Sequence, residues 1–191
     1  METKKLNINY KNFYYPPGGI LLWIIIFLEL ITFGMALIAL VYSANDEPQL
    51  FSESSLQLNK TIGTINTVFL LTSGFFVANA VYNFKKHHFK QATIQFKIAM
   101  FLGLLFVFLK SLEYYTKFQS GFVLGSNTFF TFYWLLTGFH LIHVVFGLVI
   151  LFILNQNLKT KTNEDVEASA AFWHMCDLIW LLLFPVLYLI L

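Results

Sequence analysis

Cysteine, arginine and charge are all scarce in this chain. Its 191 residues include one cysteine, Cys176, no arginine beside 12 lysines, and only 12% charged residues. A single cysteine excludes an internal disulfide and a CxxC redox pair. Without arginine the chain lacks the forked donor that usually clamps phosphate or carboxylate. The net charge of +2 gives no indication of nucleic-acid binding, and we expect no nucleic-acid partner.

Apolar residues are abundant and are arranged in long runs. The chain is 58% hydrophobic with a mean hydropathy of +0.68, whereas soluble domains carry about 25% charged residues. Each run reaches the length of about 20 residues that a helix needs to cross a bilayer. We predict an all-α integral membrane bundle, one domain over residues 1–191, with five transmembrane helices at approximately 20–42, 62–84, 94–118, 128–154 and 170–191.

The lysines predict the orientation of the bundle. Lysines are concentrated in the N-terminal tail and in the second and fourth connections between helices, whereas the first and third connections carry few. The lysines of the tail and of the second and fourth connections are Lys4, Lys5, Lys11, Lys85, Lys86, Lys90, Lys159 and Lys161. Because cytoplasmic loops are enriched in basic residues, we expect the N-terminus inside and the C-terminus outside.

Ionisable residues interrupt several of the apolar runs. With a rise of about 1.5 Å per helical residue, Glu29, His140, His143 and Asp177 all fall within about 5 Å of the predicted midplane. A carboxylate there costs at least about 2.5 kcal/mol and normally faces a partner inside the bundle. The economical partners are histidine with Glu29 or Asp177. His174 precedes Asp177 by three residues, so these two share one helix face.

Lys110 and Glu113 repeat the same three-residue spacing on the third predicted helix. They lie nearer its outer end, where a lysine side chain can snorkel towards water. We interpret them as a local ion pair.

Four roles are open to the intramembrane histidines. Haem ligation by His143 and His174 is disfavoured because their predicted depths differ by roughly 6 Å. A metal site of His140, His143 and Asp177 is sterically conceivable, although no further ligands support it. A proton path through Glu29, His143 and Asp177 is chemically better, because each titrates when desolvated. The simplest role is interhelical hydrogen bonding.

The order of the motifs resembles subunit III of the haem-copper oxidases. The resemblance covers residues 16–191 and is carried by "TGFHLIHVVFG" on helix four and "EASAAFWHMCDLIWLLLF" leading into helix five. The earlier helices agree in order, with "WIIIFLELITFGMAL", "NTVFLLTSGFFVANAVY" and "LGLLFVFLKSLEYYTKF".

This resemblance implies a cofactor-free subunit with no catalytic and no metal-binding residue. Haem and copper would belong to the partner subunits I and II of a hetero-oligomeric terminal oxidase. The chain would stabilise the catalytic subunit, bind phospholipid and support proton uptake. The positions matching the family's buried polar residues are Glu29, Glu113, His140, His143, Glu167, His174 and Asp177.

Several features depart from long family members. Those members have seven helices, and this chain matches the last five, as short forms in the bacterial inner membrane do. Leu141 stands where the family often has glycine, which changes the approach of a neighbouring helix. "PPGGILLW" and "WHMCDLIWLLLFPVLY" are similar to the branch associated with nitric oxide reductase. An accessory subunit of that enzyme and an independent proton or ion carrier are the alternative functions.

Overall fold

The computed structural model describes residues 18–190, which form helices joined by short turns, with no strand in that range. Five of the helices are long and apolar enough to cross a membrane, which confirms the predicted all-α class and number of spans. A short helix, α2 (Pro48–Ser55), follows the first span. The spans are α1 (Ile20–Asp46), α3 (Lys60–Lys85), α4 (Phe89–Gln119), α5 (Thr128–Gln156) and α6 (Asn163–Pro185).

The helices extend into the polar residues beside the apolar runs. Helix α6 begins at Asn163 instead of residue 170 because Thr162 and Asp165 form a capping box. The Asp165 N–H donates to Thr162 Oγ1 at 3.2 Å, and the Thr162 N–H donates to Asp165 Oδ2 at 3.0 Å. Hydropathy marks the membrane-embedded part of a helix, whereas such caps set where its backbone begins.

Some sequence expectations fall outside the described residues. They are the lysines of the N-terminal tail, the proline pair before the first helix and the end of the last predicted span, namely Lys4, Lys5, Lys11, Pro16, Pro17 and Leu191. Pro48 lies within the described range and occupies the start of α2. Proline is favoured there because the first turn of a helix needs no N–H donor.

Helix α6 is the centre of the bundle and α1 lies at its edge. In the most apolar stretch of each span, 56% of the residues of α6 are buried, compared with 17% in α1. Helix α6 contacts α1, α3 and α5, while α4 packs between α3 and α5. The polar groups of α6 therefore meet side chains from several helices.

The indole of Trp173 on α6 lies between two glycines of neighbouring helices. A Cβ atom added at Gly103 on α4 would lie 2.7 Å from Trp173 Cη2, and one added at Gly147 on α5 would lie 2.9 Å from Trp173 Cε3. Trp173 itself is fully buried. Small residues let helices approach closely in a bilayer, where packing replaces the hydrophobic driving force. This ring therefore sets the spacing of α4, α5 and α6.

The last turns after α6 widen into a π-helix over Val186–Ile190. Pro185 lies at the end of α6, and a proline there removes one backbone hydrogen bond and displaces the preceding turn. The widened segment carries Tyr188, which is 1% exposed. Its hydroxyl takes part in the polar cluster described below.

Hydrogen bonds between side chains and neighbouring helices reinforce this packing. Ser73 Oγ donates to the Ala99 carbonyl at 2.9 Å and joins α3 to α4. Trp180 Nε1 donates to Thr67 Oγ1 at 2.9 Å and joins α6 to α3. Because the bilayer core offers no competing water, such bonds hold helices in register.

We expect Gly103→Ala to destabilise the bundle by about 1 to 3 kcal/mol, because the new methyl group overpacks the site against the Trp173 ring. Gly138→Ala is the matched control, since its added Cβ meets no packed neighbour within 4 Å beyond its own stretch of helix. Unfolding of the purified chain in mixed detergent micelles measures both. Equal loss of stability in the two variants would contradict the packing role of Trp173.

Candidate functional site

The seven sequence-predicted polar residues do not form one continuous network. Hydrogen bonds and ion pairs divide them into four separate groups within the described range. Glu113 belongs to a cluster with Lys110, Glu29 faces His143, His174 faces Asp177, and Glu167 faces Lys85; His140 bonds to none of them.

The most deeply buried group surrounds Lys110 on α4. Its ammonium donates to Glu113 Oε2 at 2.9 Å, to the Tyr133 hydroxyl at 3.1 Å and to the Tyr188 hydroxyl at 2.7 Å. The Tyr188 hydroxyl in turn donates to Glu113 Oε1 at 2.7 Å. All three ammonium donors and both carboxylate oxygens therefore have partners. This cluster ties α4 to α5 and to the π-helical end of the chain.

The expectation that Lys110 snorkels to water is wrong. Lys110 is 0% exposed and Glu113 is 1% exposed. The ammonium also lies 4.7 Å from the ring centroid of Tyr133 and 5.4 Å from that of Trp180. Two tyrosine hydroxyls and these aromatic faces replace water around the charge, so the side chain has no need to reach the membrane surface.

Glu29 on α1 faces His143 on α5. Glu29 Oε2 lies 3.4 Å from His143 Nε2, and the side chains are 24% and 13% exposed. The other ring nitrogen, His143 Nδ1, lies 2.8 Å from the Phe139 carbonyl. A carbonyl oxygen only accepts hydrogen bonds, so Nδ1 carries a proton and donates it.

The contact between Glu29 and His143 therefore needs one further proton. An ionised carboxylate only accepts, and Nε2 is an acceptor in the tautomer that protonates Nδ1. The two atoms attract each other when a single proton lies between them, held either by the carboxyl or by an imidazolium. This pair supplies one of the polar links between α1 and the rest of the bundle.

His174 and Asp177 form a pair along one face of α6. His174 Nδ1 lies 3.2 Å from Asp177 Oδ2, which is one helical turn away. Helix α3 approaches the pair at Gly74, where an added Cβ would lie 2.1 Å from Asp177 Oδ2. The absence of a side chain at Gly74 makes room for the carboxylate against α3. Asp177 is 7% exposed, while the His174 side chain is 43% exposed.

His140 is surrounded by aromatic rings. Its imidazole stacks on Trp180 with centroids 5.4 Å apart and meets the edge of Phe106 at 5.8 Å. It is 0% exposed, and neither ring nitrogen has a hydrogen-bond partner among the described residues. His140 thus acts as a core aromatic residue in this arrangement, unlike His143 three residues later.

Glu167 lies at the start of α6 and pairs with Lys85 at the end of α3. The carboxylate and ammonium are 2.5 Å apart, with side chains 22% and 51% exposed. This pair is the most exposed of the four and lies at the end of the bundle where α3 ends. It closes the same α3–α6 interface that Gly74 and Asp177 form deeper in the span.

The geometry bears directly on the metal-site alternative. Within residues 18–190 no group of three or more histidine, cysteine or acidic side chains lies together in a metal-binding arrangement. His143 is engaged by Glu29 and Asp177 by His174, so the conceivable ligand set of His140, His143 and Asp177 does not converge.

Tyr133 and Tyr188 are the polar partners of Lys110 that the sequence did not predict. Their only signal was a hydroxyl within an apolar run.

Comparison with known protein families identifies the family to which this chain belongs. A sequence model of the family described as cytochrome c oxidase subunit III matches residues 54–190. The chain belongs to the cytochrome c oxidase subunit III family.

Individual relatives show the extent of this likeness. Cytochrome c oxidase subunit 3 of Spodoptera frugiperda is 30% identical over 132 residues, covering 66% of this chain and 88% of that protein. The protein of the same name from Schizophyllum commune is 33% identical over 131 residues, covering 64% and 47%. That from Tetraodon nigroviridis is 30% identical over 129 residues, covering 65% and 48%. The chain thus spans about half the length of the last two relatives.

The subunit III match includes six of the seven predicted polar positions. It begins within α2 and runs through α3 to the π-helical end, so Glu29 on α1 lies outside it. The resemblance noted in the sequence extends further, to residue 16. In this subunit III chain Glu29 joins α1 to the matched region through its contact with His143, beside the packing of α1 against α5 and α6.

Removing the ammonium group of Lys110 is expected to destabilise the bundle strongly. Lys110→Met leaves the Glu113 carboxylate buried without its cation, which costs about 3 to 5 kcal/mol. Detergent or thermal unfolding of the purified chain measures the loss. The double variant Lys110→Met/Glu113→Leu is expected to recover much of it.

The control for Lys110 is Lys85→Met, which breaks the exposed pair with Glu167. We expect a loss below about 1 kcal/mol there, because water screens the exposed pair. Similar losses for the two lysine variants would show that burial does not govern the strength of these contacts.

Replacement of Glu29 tests how its contact with His143 is held. Glu29→Gln keeps a donor that can reach His143 Nε2, so we expect a change below about 1 kcal/mol, whereas Glu29→Ala leaves that nitrogen unpaired and costs about 1 to 3 kcal/mol. The same unfolding measurement compares them. If the glutamine variant lost as much stability as the alanine variant, full charges on both partners would be required.

Proposed function

We propose that this chain is an accessory subunit III of a haem-copper terminal oxidase in a respiratory electron transport chain. In this role it holds neither haem nor copper and packs against the catalytic subunit I and its neighbour subunit II. The electron donor is cytochrome c or quinol. The family match and the names of the relatives support this assignment.

One observation carries the proposal for a supporting, non-catalytic role. Four carboxylates of the spans, Glu29, Glu113, Glu167 and Asp177, each pair with a basic side chain of the same chain. Paired groups of this kind stabilise helix contacts, and they leave few free ligands or bases for chemistry. We infer that electron transfer takes place in the partner subunits.

We also propose a location and an orientation for the chain. Lys85, Lys86 and Lys90 lie where α3 gives way to α4, and Lys159 and Lys161 lie between α5 and α6, at the same end of the bundle. We call this the lysine-rich end. By the positive-inside rule it faces the cytoplasm of a bacterial inner membrane, with the C-terminus of the chain outside.

Support of proton uptake is the finer part of the proposal. Glu167, Lys85 and His174 line one groove between α1, α3 and α6 that opens beside the lysine-rich end. Exposed titratable groups near a proton entrance raise the local supply of protons for a neighbouring subunit. Continued turnover of the oxidase, rather than its initial rate, would then depend on this chain.

The experiment is a comparison of oxidase complexes with and without this chain. We expect the complex lacking it to retain its initial rate and its metal content, and to lose activity at least about twofold sooner during turnover. Oxygen consumption by the purified, reconstituted complex measures both quantities. An accessory subunit of a nitric oxide reductase would instead co-purify with nitric-oxide-reducing activity.

Two outcomes would contradict this proposed role. Haem absorbance in a reduced-minus-oxidised spectrum of the separated chain would place a cofactor in it. Proton flux through liposomes that contain the chain alone, above that of empty vesicles, would favour an independent carrier.

The variant Asp177→Ala is measured in the same oxidase complex. If that complex is assembled and fully metallated but loses its initial turnover, Asp177 has a direct role in the reaction.

A further inference from the structure

Tyrosine and tryptophan rings from three segments contact one another around Lys110. The ring centroids of Tyr133 and Trp134 on α5 are 5.9 Å apart, and Tyr114 on α4 lies 6.1 Å from Tyr133 and 4.5 Å from Trp134. Tyr188 on the π-helical turns joins them through the Lys110 ammonium, which donates to the hydroxyls of both Tyr133 and Tyr188. We call Tyr188, Tyr133, Tyr114 and Trp134 the tyrosine–tryptophan series.

The series leads from the core of the bundle to its surface. Tyr133 and Tyr188 are fully buried. Tyr114 and Trp134 are half-buried, and Trp134 Nε1 donates to the Phe122 carbonyl at 2.9 Å in the turn between α4 and α5. That turn lies at the end of the bundle opposite the lysine-rich end. One end of the series is therefore close to water, while the other lies inside the protein.

The polar groups of these rings give them a property that phenylalanine lacks. Phenylalanine packs as well in a core and occurs 23 times in the chain, but its ring resists oxidation, whereas tyrosine and tryptophan give up one electron to an oxygen-derived radical. A tyrosine that loses an electron also has to lose its hydroxyl proton. The Tyr188 hydroxyl donates to Glu113 Oε1 at 2.7 Å, and an ionised carboxylate is an acceptor. Electron and proton can therefore leave Tyr188 together, while the proton stays inside the cluster.

The segment that carries Tyr188 also forms part of the side of the bundle. Leu189 and Ile190 are 54% and 71% exposed, and they follow directly on the buried Tyr188 in the π-helix Val186–Ile190. An oxidant in the lipid or on a neighbouring subunit can therefore approach the Tyr188 ring to within about the width of one helix. Peroxyl radicals, which form in the acyl region of membranes exposed to oxygen, are oxidants of this kind.

We propose that the tyrosine–tryptophan series conducts electrons from the aqueous surface beside Trp134 to oxygen-derived radicals that reach the π-helical end. A peroxyl radical takes one electron from Tyr188 and a proton from water and becomes a hydroperoxide, while the Tyr188 proton passes to Glu113. Tyr133 returns an electron to Tyr188, which recovers its proton from Glu113. Trp134 then reduces Tyr133, and an aqueous thiol or ascorbate-like reductant gives Trp134 its electron. This role lies beyond the proposed function, since the electrons of respiration still pass through the partner subunits.

The path is a property of this chain alone, so the test uses the purified full chain in detergent and does not depend on assembly with an oxidase. Ile190→Cys carries a ruthenium photo-oxidant close to Tyr188, while the native Cys176 is buried and stays unlabelled. A light pulse without oxygen, in the presence of a cobalt(III) electron acceptor, produces the oxidant, and a nitroso spin trap labels the residue that keeps the radical. We expect peptide mass spectrometry to locate the label on Trp134.

Two phenylalanine variants interrupt the series. Tyr133→Phe keeps the ring but removes the redox-active hydroxyl, so we expect it to lose most of the Trp134 label. Tyr188→Phe interrupts the series at its other end and is expected to do the same. The matched control is Tyr115→Phe, which removes a hydroxyl from the 63% exposed neighbour of Tyr114 and is expected to leave the label unchanged.

A second attachment site separates conduction from misfolding. Ser126→Cys places the photo-oxidant in the same turn as Phe122, at the Trp134 end of the series, and from there we expect the Trp134 label to form with or without Tyr133→Phe. With the photo-oxidant at residue 190, equal Trp134 labelling in the parent and in both phenylalanine variants would overturn the proposal, because the radical would then arrive by another route. Absence of the Trp134 label in the parent would overturn it as well.

Discussion

The interior of a bilayer offers no hydrogen-bond partner, and this constraint governs where the polar side chains of the bundle lie. A charge placed there has to be compensated by the protein itself. Lys110 shows the most complete solution, because one carboxylate and two tyrosine hydroxyls from three segments surround its ammonium. The positions of α4, α5 and the π-helical end are then tied together by bonds that water cannot replace.

Much of the fold and part of the site follow from the sequence because they depend on one-dimensional information. Apolar length fixes the number of spans, and residue position fixes depth along a helix of known rise. Residue position predicts nearly the same depth for Glu29 and His143, and the structure brings their side chains to 3.4 Å from each other. His174 and Asp177 meet because a three-residue spacing places them on one helix face.

The remaining features depend on how the helices rotate and pack, which residue spacing does not encode. The tyrosines around Lys110 are 23 and 78 residues away from it in the chain. Similarly, His140 lies at the same predicted depth as the carboxylates, but it is on a face of its helix that packs against Trp180. Gly74 illustrates the same limit, since the space it leaves for Asp177 exists only once α3 lies against α6.

The division of the polar residues into separate groups favours a mechanical role over a relay. A proton relay needs titratable groups within hydrogen-bond reach of one another across the whole membrane. Here the rings of Trp180 and Phe106 enclose His140, and Phe33 lies against His143. Apolar rings therefore surround the imidazoles, while each carboxylate is held by its own partner. Such a chain fastens helices at several depths, which agrees with the supporting role proposed for it.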